Sequence, residues 1–149
     1  MCHLDYCKSL LLNMPSKFLQ KLQVLQNSAA RLVMCSKKYD SVTPFLKTLH
    51  WLPVRQRIIY KLLVICYNCY HTASPNYLNE LLCKYETGRS LRSKQKCLLY
   101  VPQTATKSYG ERSFSFAAPT LWNSLPYSLK TASSIDSFKA SLKTHLFKF

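Results

Sequence analysis

The sequence predicts a mainly α-helical, irregular domain with one or two short strands in its C-terminal half. Three observations carry that reading. First, Phe18, Leu22, Leu25, Ala29 and Leu32 recur at the spacing of one helix face, while Lys17, Gln20, Lys21, Asn27 and Arg31 fall mostly on the other side. Second, the run Ile58–Tyr67 is almost continuously apolar and follows Pro53, a residue suited to a first helical position. A helix apolar on most of its circumference belongs inside, so this one is expected at the centre, with the Phe18–Leu32 stripe packed as core. Third, the 149 residues include only 2 glycines, Gly88 and Gly110, which argues against a turn-rich all-β fold.

Residues 1–14 form a short amphipathic segment anchored by Leu4, Leu11 and Leu12. It starts abruptly inside an apolar pattern, as the truncated end of something longer would. Ser16 is expected to N-cap the first long helix, which should end near Cys35 before the polar connector SKKYDS. Thr43 and Pro44 read as an N-cap and first-turn proline of a short helix reaching about Leu49. His50-Trp51-Leu52-Pro53 is a tight joint, with Trp51 expected to plug the gap between helices. Ser74-Pro75 opens another short helix, Asn76–Leu82.

From Cys83 the character changes. KYETGRSLRSKQK is polar, basic and without apolar periodicity, so it reads as a surface loop. CLLYVP, 97–102, has the β-prone run of a strand closed by Pro102, and QTATKSYGERS is a second loop. Phe114–Ala118 fits either a strand or a helix start. Pro119–Leu125 reads as a short helix stopped by Pro126, with Trp122 inward. Ser133 or Ser134 caps a final helix whose face is Ile135, Phe138, Leu142, Leu146 and Phe149. The helical core segment 1–83 and the loops, strand and helices of 84–149 are expected to pack as one domain, a size at which a single hydrophobic core suffices.

Charge is the strongest compositional signal. Lys and Arg total 21 against 6 acids, a net charge of +15. Such an excess favours a polyanionic partner, with nucleic acid first and an anionic membrane surface second. It is spread along the chain, with 10 of the basic residues in 1–83 and 11 in 84–149, so no polybasic arm is indicated. The 7 cysteines follow no secretory leader and are an odd number, which suggests reduced thiols in an intracellular protein, nuclear or cytoplasmic. No apolar run approaches the roughly 20 residues of a membrane span.

The sequence argues against catalytic chemistry on several counts. Two-metal polymerase or nuclease sites need clustered carboxylates, and the only aspartates are Asp5, Asp40 and Asp136. Two glycines cannot build a Rossmann or P-loop phosphate cradle. Cys66, Cys69 and His71 resemble part of a zinc site, but a structural zinc wants four ligands, and Cys83 and Cys97 make no second pair. Small buried thiols on an apolar helix explain the spacing better. Neither a metal nor any other cofactor is expected, and no small-molecule substrate.

Binding remains. Arg89, Arg92, Lys94, Lys96, Lys107, Tyr109 and Arg112 put cations and an aromatic, interleaved with Ser90 and Ser93, in two loops flanking the expected strand. Cations contact phosphate and aromatic faces stack on unpaired bases, so the mixture suits single-stranded nucleic acid or an RNA–DNA hybrid. An ordinary solvated basic loop has the same composition.

Seven stretches together carry a resemblance: LDYCKSLL (4–11), KLQVLQNSAARLV (21–33), KYDSVTPFLKTLHWLPVRQRI (38–58), SPNYLNELL (74–82), RSLRS (89–93), SYGERSFSFAAPTLWNSLP (108–126) and SFKASLKTHLF (137–147). In this order and spacing the chain resembles the C-terminal region of reverse transcriptases of non-LTR (LINE-type) retrotransposons. The resemblance implies a piece of an RNA-directed DNA polymerase lying downstream of palm and thumb, in an enzyme that primes on nicked chromosomal DNA and copies its own RNA. The adjacent aspartates of that family's palm have no counterpart, since the chain contains no Asp-Asp. Its endonuclease is missing as well, so no catalytic residue carries over. A non-catalytic fragment with residual RNA or DNA binding is therefore expected. The alternative is an interaction module that docks on the missing polymerase portion or on another copy, around Leu4–Leu12, with no nucleic-acid role.

Overall fold

The computed structural model describes residues 11–12, 14–85, 97–106 and 109–147. Among these the chain forms seven α-helices: α1 Ser16–Val33, α2 Thr43–Thr48, α3 Val54–Thr72, α4 Asn76–Asn79, α5 Phe114–Ser124, α6 Tyr127–Lys130 and α7 Ile135–Leu146. A 3₁₀ turn, Gly110–Arg112, leads into α5. The domain is mainly helical, as its periodicity predicts. No helix among the described residues is long and apolar enough to cross a membrane.

The apolar run places α3 at the centre. It packs against α7, α5 and α1, burying Val54, Ile58, Leu62, Leu63, Cys66, Tyr67 and Cys69. Against it sit Trp122, Phe138 and Leu142, all fully enclosed. Tyr67 stacks on Phe138 with ring centroids 4.3 Å apart, and its hydroxyl donates to the Ala132 carbonyl at 2.8 Å. Tyr70 stacks on Trp122 at 5.3 Å. Burial, helped by a hydrogen bond to Cys97, pushes the Tyr70 phenol up to about 12. Each such side chain removed from water contributes roughly 1.5–3 kcal/mol.

The first helix corrects the sequence expectation. Phe18, Leu25 and Leu32 are 51%, 63% and 79% exposed, and Ala29 is exposed too. The inward face is Leu19, Leu22, Gln23, Gln26 and Ala30, roughly one residue's rotation away; Leu22 alone belongs to both stripes. The amides explain the rotation. Gln26 Nε2 donates to the Leu52 carbonyl at 2.9 Å, and Gln23 Oε1 accepts the Val54 N–H at 2.9 Å. That N–H is one of the first-turn donors that α3 cannot satisfy internally. A second bond, Gln23 Nε2 to Gln26 Oε1 at 3.1 Å, joins the two amides. Turning the expected stripe inward would leave these backbone groups without partners in a buried place, at about 1–3 kcal/mol each.

Helix ends are shifted by about a residue from their expected places. Pro15, not Ser16, occupies the N-cap position of α1, Val42 that of α2 and Pro53 that of α3. The helix after Ser74-Pro75 is shorter than expected, Asn76–Asn79. At the end of α2, Trp51 N–H donates to the Leu46 carbonyl at 2.8 Å and His50 N–H to the Lys47 carbonyl at 3.1 Å. This is a Schellman close with His50 left-handed at φ 52°. The same pattern closes α1 around Cys35, at φ 48°. Trp51 does not plug the joint. It is half-buried, and Leu52 supplies the buried contact instead.

In the second half, the strand expected at 97–102 reduces to one antiparallel bridge, Lys84 with Leu99. Tyr85 N–H donates to the Leu98 carbonyl and Tyr100 N–H to the Cys83 carbonyl, at 3.0 and 2.8 Å. On its other side, Leu99 is held by a side chain. Asn123 Oδ1 accepts the Leu99 N–H at 3.0 Å and Asn123 Nδ2 donates to its carbonyl at 2.8 Å. Trp122 Nε1 donates to the Cys97 carbonyl at 2.8 Å. A helix therefore takes the place of a neighbouring strand. That helix, α5, starts at Phe114 and runs through Pro119, so of the two readings open for Phe114–Ala118 the helix start holds, and it is continuous with the helix expected from Pro119. Burial of Ala117, Ala118 and Pro119 against the core carries it across the missing N–H. For α7, Ser134 is the cap, its hydroxyl accepting the Ser137 N–H at 3.2 Å, and Phe138 and Leu142 face inward as the spacing requires.

Candidate nucleic-acid interface

Of the seven residues assigned to binding by sequence, Arg89, Arg92, Lys94, Lys96 and Lys107 lie outside the described residues. Tyr109 precedes the 3₁₀ turn before α5, and Arg112 is its last residue. Tyr109 is strongly exposed, and the Arg112 guanidinium sits 5.8 Å from its ring centroid. Cation and aromatic thus meet each other, leaving one ring face for an outside partner. The Arg112 Nε is buried without a hydrogen-bond partner. The turn at Gly110 is tight because a Cβ there would come within 2.7 Å of Thr104 Cβ.

A second basic and aromatic surface was not legible in advance. A groove of about 360 Å³ is lined by His50, Trp51, Leu52, Arg57, Tyr60, Lys61 and Lys143. Its volume lies within the about 300–1,000 Å³ of small-ligand clefts. Three elements build it. The close of α2 presents His50 and Trp51. The first turns of α3 place Arg57 and Lys61 four apart on one face, with Tyr60 beside them. Finally, α7 contributes Lys143 through its packing on α3.

The electrostatics are one-sided. Among the described residues, no acid lines the groove. Burial raises the Tyr60 phenol above its ordinary value, opposed in part by the positive charge of Lys139. The ring therefore stays neutral near pH 7 and adds no repulsion towards an anion. Lys139 itself pairs with Asp136 at 3.3 Å on the exposed side of α7. His50 holds a left-handed conformation in which glycine would be easier by about 1 kcal/mol.

A larger cleft of about 720 Å³ lies on the other flank of α3. Its lining is mostly apolar, with Leu12, Leu19, Ile58, Phe116 and Leu121, and among the described residues its single cation, Arg55, shares it with the acid Glu111. That chemistry does not suit a phosphate chain.

The thiols behave as packing groups. Cys66 and Cys69 are buried on α3, and burial pushes both thiols up, away from the thiolate a metal needs. The His71 ring lies tilted against that of Tyr67, with centroids 4.3 Å apart, and its Nε2 lies 3.3 Å from the Lys130 carbonyl. Among the described residues no three His, Cys, Asp or Glu side chains are grouped to hold a metal ion. Cys35, Cys66, Cys69, Cys83 and Cys97 are free thiols. Compared with models of protein families, with curated proteins and with solved structures, the chain matches none.

Proposed function

We propose that this chain is a non-catalytic nucleic-acid-binding module whose contact surface is the His50–Lys143 groove. One observation carries the reading: cations from two helices converge with a tryptophan and a tyrosine where, among the described residues, no acid lines the surface. Arg57, Lys61 and Lys143 would neutralise phosphates, while Trp51 and Tyr60 offer faces for unpaired bases. The net charge of +15 would draw a polyanion to that surface from a distance. The reading agrees with the resemblance to the C-terminal region of a LINE-type reverse transcriptase, in which a segment beyond the polymerase would hold RNA or DNA rather than copy it. Arg89, Arg92, Lys94, Lys96, Lys107, Tyr109 and Arg112 remain in the proposal as further contacts, and an intracellular location goes with it.

The test is a salt titration of binding to a labelled single-stranded RNA. Binding should weaken steeply with salt. Replacing both Lys61 and Lys143 with alanine should lower affinity at least tenfold and reduce the slope of log K against log salt by about 1.4. An unchanged slope in a folded variant would remove the groove from the interface. Absence of binding at low salt would end the nucleic-acid reading.

A further inference from the structure

We infer that the outward face of α1 docks an amphipathic helix of another protein, one whose apolar heptad seam is edged with acidic side chains. The stripe Phe18, Leu22, Leu25, Ala29 and Leu32 is separated by 4, 3, 4 and 3 residues; the core takes only Leu22, at the edge of the stripe, and leaves the other four exposed. That is the alternation of a helix–helix seam, which keeps one narrow strip facing a partner helix. Three of the five are more than half exposed. An uncovered apolar strip running the length of an 18-residue helix, about 27 Å, marks an interaction surface in a folded domain.

Charge selects the occupant. Lys17 and Lys21 are exposed beside the seam, and α1 contains no acid at all. A second copy would bring the same basic edge and another +15 of net charge to the contact, so like charges would oppose it. A bilayer calls for a broad apolar face, but this strip is bounded by Lys21 and Ser28 on one side and by the domain's own core on the other. A helix with an apolar seam and glutamates or aspartates along one edge satisfies both the geometry and the charge. This inference is independent of the groove, which α1 does not line.

The probe is a labelled synthetic peptide of three heptads with leucine at the seam positions and glutamate at the flanking ones. It is titrated with the full chain at near-physiological salt and followed by fluorescence anisotropy. Two control peptides carry lysine in place of glutamate, or serine in place of leucine. The glutamate-flanked leucine peptide should bind. Each control should bind at least tenfold more weakly, and the Leu25→Ser/Leu32→Ser chain should lose at least tenfold in affinity with its helix content unchanged. The inference is overturned if the leucine–glutamate peptide does not bind, if it binds the double variant equally, or if the lysine-flanked peptide binds as well. It is also overturned if the chain alone forms a dimer that the double variant cannot form, because the occupant is then a second copy. Seam-dependent binding to phosphatidylserine vesicles without peptide binding overturns it in favour of a membrane.

Discussion

Helices α1 and α3 are nearly equal in length, 18 and 19 residues, and meet the rest of the molecule in opposite ways. Around α3, seven residues are buried and the neighbours come from both halves of the chain. In α1 only Gln26 and Ala30 are buried, and the best apolar stripe points outward. The contrast shows what apolar spacing can decide. It identifies a helix, and where the whole circumference is apolar it also puts that helix inside. Where two stripes lie side by side, hydrogen bonds to otherwise orphaned backbone choose between them.

Three substitutions measure that difference by equilibrium urea unfolding. The largest loss is expected on α3: Leu62→Ala should cost about 2–5 kcal/mol, because Leu62 is 2% exposed and its cavity cannot collapse freely. Gln26→Ala on α1 should cost about 1–3 kcal/mol by stranding the Leu52 carbonyl. A loss near zero would mean that the amides do not set the rotation of α1. The smallest effect belongs to Leu25→Ser, within about 0.5 kcal/mol, although sequence spacing makes it a core leucine. A loss comparable with that of Leu62→Ala would reverse the two faces of α1 and remove the docking seam with them.

Much of the fold was legible where periodicity and capping agree. The central place of α3, the inward face of α7 and the inward Trp122 follow from residue spacing, and cap chemistry narrowed the start of α7 to Ser133 or Ser134, of which Ser134 is the cap. Helix ends were less legible because the usual glycine signal is absent. Left-handed positions are filled by Cys35, His50, Ala73 and Cys97, and Gly110 holds none of them. The strand at 97–102 was overestimated because its pairing partner on one side is the Asn123 amide, which no β pattern reveals. The groove itself was not read from the sequence, although the spacing of Arg57 and Lys61 at i, i+4 was a signal of two of its cations. What spacing could not supply was the packing of α7 on α3, which brings Lys143 to His50 and Trp51.

The double hold of Asn123 on Leu99 has a consequence for behaviour at high concentration. A paired extended segment ordinarily offers its outer N–H and C=O groups as a template for strand addition, the first step towards cross-β aggregation. Here both outward groups of Leu99 are occupied by one amide from a buried helix. The segment is thereby capped against recruitment of further chains on that flank.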